Sequence, residues 1–217
     1  QQLERLGRLL GVDQQARQAL VDHPRWQFAG WITHLACADD LDDPFTTQQL
    51  ARFTAALQGV PGPRSIANSA GLLGWPQTHA DWVRPGLALY GASPISGLPA
   101  EQLGLKPAMT VESRLIAVRT FEAGETLGYG RHFTCPERMP VGVVAIGYAD
   151  GLPRAVSSRA EVGIHGQRLP LAGRVSMDMI TVDLRPLPHA RVGSTVQIWG
   201  PGLPAEHLAA AANTIVY

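Results

Sequence analysis

Gly91-Ala-Ser-Pro-Ile-Ser-Gly-Leu-Pro-Ala-Glu-Gln-Leu-Gly-Leu105 divides this sequence into two parts of different character. Its glycines, prolines and serines follow no apolar period, which marks a linker. Upstream, apolar segments alternate with helical ones. Residues 1–22 repeat Leu3, Leu6, Leu9 and Leu10 at helical spacing, Trp26–Ala36 reads as a buried strand, and Thr46–Leu57 reads as a helix. Ser65–Ala67 is a short extended piece, and Val83–Tyr90 reads as a further strand despite Pro85 and Gly86. That alternation predicts βα units and a parallel sheet. Downstream come short β-type runs, Met109–Thr120, Val141–Ile146, Arg159–Ile164, Gln167–Leu171, Ile180–Leu184 and Thr195–Trp199, punctuated by turn residues and followed by a helix over Pro204–Asn213. That predicts an antiparallel barrel or sandwich. The expected division is therefore an α/β part over residues 1–95 and an all-β part over 96–217. About three parallel strands leave unpaired edges and an uncovered face. The sequence thus reads as beginning inside an α/β domain, and its end on Thr214-Ile-Val-Tyr217 reads as a second cut.

Composition narrows the function classes. Eighteen basic and 18 acidic residues give zero formal charge, so there is no basic field for nucleic acid or an anionic membrane face. No apolar run approaches the roughly 18 residues of a membrane-spanning helix, and no secretory leader opens the sequence. Two cysteines about a hundred positions apart, Cys37 and Cys135, make neither a disulfide scaffold nor a metal site. The expectation is a cytoplasmic protein with reduced thiols and no metal. Lys106 is the single lysine; every other basic residue is arginine. Any amine chemistry within these residues has one candidate.

Four segments carry possible chemistry. Thr33-His-Leu-Ala-Cys-Ala-Asp39 ends a predicted strand; His34 there could equally be a hydrogen-bonded core histidine. Ser65-Ile-Ala-Asn-Ser69-Ala-Gly71 has a helix-capping signature, and the same geometry binds phosphate. Arg84, in the apolar run Asp81-Trp-Val-Arg84-Pro-Gly86, is costly to bury without partners. Leu127-Gly-Tyr129-Gly130 and Ala145-Ile-Gly-Tyr148-Ala-Asp150-Gly151 flank tyrosines with glycine, leaving each phenol free to donate or to act as an acid.

In this order, THLACAD, SIANSAGLLGWP, DWVRPGLALYGASP, LGYG, VAIGYADGLPR, AGRVSMDMITVDL and NTIVY resemble the alanine racemase family from about residue 30 to 217. The resemblance implies the second part of a (β/α)8 TIM-type barrel followed by a C-terminal antiparallel β domain. It also implies pyridoxal 5'-phosphate (PLP) as cofactor, alanine as substrate and a homodimer, in an isomerase supplying D-alanine for peptidoglycan or serving alanine catabolism. By the same resemblance, Tyr129 is the catalytic tyrosine, acting in the partner subunit's site. Arg84 faces the PLP pyridine nitrogen with His34 as its hydrogen-bond partner. Ser69, Gly86, Leu87 and Tyr217 hold the phosphate. Met177 meets the substrate carboxylate through its backbone N–H, and Tyr148, Asp39, Arg154, Arg174 and Ile215 belong to the substrate entrance. Ser65 stands where some members have a second histidine.

The chemistry implied is coherent. Racemisation removes the Cα proton on one face and returns a proton on the other, so two bases are needed. An arginine, with a pKa above about 12, does not give its proton to the ring nitrogen. The family's lysine-bearing motif, similar to Val-Val-Lys-Ala-Asn-Ala-Tyr-Gly-His-Gly, has no counterpart in this sequence, and Lys106 in Gly104-Leu-Lys-Pro107 does not match it. The expectation is a racemase of which these 217 residues are inactive by themselves. The alternatives are a broad-specificity or serine racemase on the same scaffold and a non-catalytic PLP-binding fragment.

Overall fold

A computed structural model describes residues 18, 22–25, 27–156 and 160–216. The helix expected over residues 1–22 lies almost wholly outside the described residues, as do Trp26, Arg159 and Tyr217. The chain forms two compact units, one of Gln1–Ala88 with Pro94–Pro99 and one of Leu89–Ser93 with Ala100–Tyr217.

In the first unit, β1 (Trp31–Ile32), β2 (Arg64–Asn68) and β3 (Trp82–Arg84) form a parallel three-stranded sheet in sequential order. Helix α1 (Phe45–Ala56) follows the first strand, α2 (Ser69–Gly74) the second, and α3 (Gly86–Leu89) the third. Leu35, Ala38, Ile66, Ala70 and Trp75 form the core between sheet and helices. Two expectations need correction. The strand foreseen over 26–36 is paired only at Trp31–Ile32, because beyond Thr33 the side chain of Gln49 replaces a neighbouring strand. Its amide donates to His34 O (2.6 Å) and its oxygen accepts from Ala36 N–H (3.2 Å). The strand foreseen over 83–90 stops at Arg84. Pro85 has no N–H for a ladder and its fixed φ suits a helix start, so the chain turns into α3.

In the second unit, β4 (Val111–Phe121), β7 (Met139–Val144), β8 (Glu161–Ile164), β9 (Gln167–Pro170), β10 (Ile180–Asp183) and β11 (Thr195–Trp199) form one antiparallel sheet in the order β10-β7-β4-β11-β8-β9. The end of β9 returns to β10: Leu171 bridges Val182, and Ala172 N–H donates to Thr181 O at 2.8 Å. The sheet thereby closes toward a barrel and loses its exposed edges. Inside it pack Leu115, Val144, Ile164, Leu169, Val182, Val196 and Ile198. A two-stranded hairpin, β5 (Thr126–Leu127) with β6 (Phe133–Thr134), lies outside that sheet and outside the strands expected from sequence. Helix α4 (Ala205–Ala212) falls where expected and ends at Asn213 in the left-handed conformation. The final described residues, 214–216, form no strand.

One polar network anchors the barrel end. Asp183 is 4% exposed and accepts from Arg185 Nε (3.0 Å) and Nη2 (2.6 Å), while Arg185 Nη1 reaches Glu137 at 2.6 Å. The two carboxylates hold the guanidinium above its already high pKa, Asp183 contributing first. Removing the arginine leaves a buried carboxylate with backbone partners only. Arg185→Met should lower unfolding free energy by about 2 kcal/mol, and adding Asp183→Leu should recover most of it. Urea unfolding of the 217-residue chain reads both; a silent Arg185→Met would mean that the network is decorative.

Candidate functional site

The carboxyl ends of the three parallel strands carry one constellation. Arg84 ends β3, pairs in register with Asn68 at the end of β2, and is half-buried. Its Nη1 donates to Ser65 Oγ at 2.5 Å, and its Nη2 donates to Thr33 O at 2.7 Å and Ile66 O at 3.4 Å. The guanidinium thus has only neutral partners; among the described residues no carboxylate forms an ion pair with it. Its charge is left for whatever faces it. The expected Arg84–His34 hydrogen bond is not among these contacts. The strand end turns His34 into solvent, and Ser65 with two carbonyls takes that place.

Beside Arg84 the turns after β2 and β3 are latched together. Asn68 caps α2 by accepting from Gly71 N–H at 2.9 Å, and buried Ser69 accepts from Ala88 N–H at 3.1 Å through its hydroxyl. Ser69 therefore meets the turn holding Gly86 and Leu87. Gly86 is exposed, and nothing lies within 4 Å of where its Cβ would stand. The arrangement offers a hydroxyl and open backbone near a fixed cation, which is what an elongated ligand with an anionic end and a polar ring requires. Asp39 is engaged elsewhere in this unit: it accepts from Ser96 Oγ at 3.1 Å, and its carbonyl accepts from Ser96 N–H at 2.8 Å.

The second unit gathers a different group. Tyr129, Tyr148, Arg154 and Arg174 line one cleft of about 960 Å³, together with His132, which no sequence motif had singled out. Among the described residues no carboxylate lines it. Tyr129 is 72% exposed, on a tight turn whose flanking Gly128 and Gly130 have φ of 70° and 74°. The imidazole of His132 folds back where a Cβ on Gly130 would stand, 2.6 Å from its Nε2. That turn glycine was the available signal for His132. Arg154 lies over the Tyr148 ring, 5.8 Å from its centroid. Met177 is joined to Tyr148 through main chain: Tyr148 N–H donates to Ser176 O (3.0 Å) and Ala149 N–H to Met177 O (2.9 Å). Ile215 is exposed.

Neither thiol is shifted toward its thiolate form. Burial pushes the Cys135 thiol up, and Cys37 is raised by burial and then by Asp43. Among the described residues no cluster of three or more histidine, cysteine or acidic side chains could hold a metal, and no helix is long and apolar enough to cross a membrane.

The closeness of the Tyr148 and Met177 loops depends on Gly147, where a Cβ would lie 2.2 Å from Met177 O and 2.4 Å from Ser176 O. Backbone cannot yield as a side-chain tip can. Gly147→Ala should therefore cost about 1–3 kcal/mol by overpacking and separate the two loops. Thermal unfolding of the chain, with Tyr148 ring resonances as a local probe, would check this; an unchanged melting temperature and spectrum would contradict it.

Both units have counterparts among known proteins. Residues 2–94 match the family model described as alanine racemase, N-terminal domain, and residues 108–217 match alanine racemase, C-terminal domain. The alanine racemase of Halorhodospira halophila is 55% identical over 188 residues, covering 87% of this chain and 52% of that protein. The crystal structure of the biosynthetic alanine racemase from Pseudomonas aeruginosa superposes with a TM-score of 0.89 at 44% identity, over 94% of this chain and 57% of that one. The alanine racemase from Bartonella henselae, solved with covalently bound pyridoxal phosphate, gives a TM-score of 0.78 at 33% identity over 94% of this chain and 58% of that one. The chain thus spans about half the length of the curated relatives it matches.

Proposed function

From a chain that belongs to the alanine racemase family, we propose an enzyme that interconverts L- and D-alanine on PLP, in which these residues supply the cofactor-ring contact, part of the phosphate contact and one of two proton-transferring groups. The observation that carries this reading is the Arg84 guanidinium, fixed at the carboxyl ends of three parallel strands and paired with no carboxylate among the described residues. In barrels of parallel strands that end is where active sites are built.

The residues present fit PLP. Arg84 would face the ring nitrogen, and Ser69 with the backbone of Gly86 and Leu87 would hold the phosphate, joined by Tyr217. PLP bound there supplies a sink for the charge left when the alanine Cα loses its proton. Arg84 does not protonate the ring nitrogen, because a guanidinium keeps its proton at any working pH. Tyr129 removes or returns the Cα proton on one face. Its exposure on a turn supports action in a second copy of the chain, and hence a homodimer. Met177 N–H receives the substrate carboxylate, and Tyr148, Arg154, Arg174, Asp39 and Ile215 line the approach. The second base is a lysine, and Lys106, the single lysine of the sequence, stands outside this constellation. A cytoplasmic enzyme supplying D-alanine for peptidoglycan or alanine breakdown is the accompanying reading, and the free cysteines agree with a reducing compartment.

In the PLP-loaded holoenzyme that contains this chain, Tyr129→Phe should lower kcat by about 10²–10⁴ while PLP stays bound. The 217 residues expressed by themselves should show no conversion. Chiral chromatography of alanine, with serine offered in parallel, reads both. A Tyr129→Phe enzyme at full rate would overturn the role of Tyr129, and a serine preference would move the substrate within the family.

A further inference from the structure

The partner that holds Arg84 on β2 is a hydroxyl. Ser65 Oγ accepts from Arg84 Nη1 at 2.5 Å while donating its own proton to Trp82 O at 3.2 Å, across the Ser65–Trp82 register of β2 and β3. The hydroxyl has one proton, and that donation commits it. An oxygen lone pair is thereby aimed at the guanidinium. Both hydrogens of Arg84 Nη2 are taken by Thr33 O and Ile66 O. One Nη1 hydrogen and the Nε hydrogen have no partner among the described residues.

None of the three acceptors titrates. The charged or titratable groups on the surrounding elements are His34 after β1, Arg64 on β2 and Asp81 before β3. Asp81 accepts from Arg64 N–H at 2.7 Å, His34 is exposed, and neither forms an ion pair or hydrogen bond with Arg84 among the described residues.

We propose that Ser65 is a positioning residue for the racemase reaction: its hydroxyl locks the Arg84 guanidinium through a partner that cannot change charge, so that the cofactor ring meets the same fixed cation across the whole physiological pH range. This rests on the reading that puts PLP at Arg84. A histidine at the same position would also hold the arginine, but could take up a positive charge beside it on acidification, below its usual value of about 6.5 because the guanidinium opposes that charge.

Three variants of the PLP-loaded holoenzyme test it. Ser65→Ala removes the acceptor and should lower kcat/KM for alanine about tenfold, the size expected for one hydrogen bond to a charged group, with the PLP dissociation constant changed less than about threefold. Ser65→Thr keeps the hydroxyl and should stay within about threefold of wild type. Ser65→His should add to both the bound-PLP absorbance and kcat/KM a pH step with a midpoint below the usual histidine value of about 6.5, beyond any step in wild type or Ser65→Thr. The proposal is overturned if Ser65→Ala leaves kcat/KM and absorbance unchanged, if it loses PLP in proportion to rate, if Ser65→Thr behaves like Ser65→Ala, or if Ser65→His titrates like wild type. A wild-type holoenzyme that binds PLP without racemising alanine would instead sink the functional reading, and the absorbance titrations would still judge Ser65.

Discussion

One guanidinium ties together the ends of three short strands. β1 has two paired residues and β3 has three, so the parallel ladder supplies few hydrogen bonds. Arg84 reaches from β3 to Ser65 and Ile66 on β2 and to Thr33 just beyond β1. Side chains complete the backbone pairing elsewhere as well. Gln49 serves His34 and Ala36, and Asp81 accepts from Arg64 N–H. Each carbonyl left dry would cost roughly 1–3 kcal/mol, so these contacts compete with ladder bonds in weight. Arg84, which holds the strand ends together, is therefore also the centre of the candidate site in the first unit.

The second unit solves the opposite problem. Its sheet is nearly closed and its core is tightly filled, so the scaffold is rigid and the functional groups sit on loops. Glycine sets those loops in place. Gly147 lets the Tyr148 segment lie against the carbonyls of Ser176 and Met177. Gly130 lets His132 fold back beside Tyr129. Tyr129 is mostly exposed, and its direction is set by a turn whose two flanking glycines take the left-handed conformation. An exposed phenol on a fixed turn is suited to act on something outside its own unit.

The division of the chain was legible because a period of two over Val111–Phe121 and Thr195–Trp199 differs plainly from the alternation before Gly91. The length of the strand after Phe28 was not. Apolar residues run on through Leu35 and Ala36, but pairing depends on whether a neighbour is present, and Gln49 is thirteen positions away from Ala36. Pro85 did signal the end of β3; the apolar Leu87-Ala-Leu89 that follows masked it, since a single helical turn has too few residues to show its period. At the site, Arg84 stood out as a cation in an apolar run. Its real partners did not, because Thr33 and Ile66 contribute carbonyls, and carbonyls have no sequence signature. His132 was hidden for another reason: its place in the cleft follows from a left-handed glycine two residues earlier.

Seventeen arginines against one lysine can arise from genome composition alone, yet three positions use properties that lysine lacks. Arg84 needs a planar fork to bond three strands at once, and an ammonium has no such span. Arg185 needs the same fork to take Asp183 with two nitrogens and Glu137 with a third. Arg154 lies over an aromatic ring, where a delocalised cation stacks with little loss of hydration. A guanidinium that never gives up its proton is well suited to holding and poorly suited to exchanging. In the cleft of the second unit, the side chains chemically able to exchange a proton are the phenols of Tyr129 and Tyr148 and the imidazole of His132, and Arg154 and Arg174 line it with them. The division of labour between groups that carry charge and groups that move protons is thus already present in which side chains occupy that cleft.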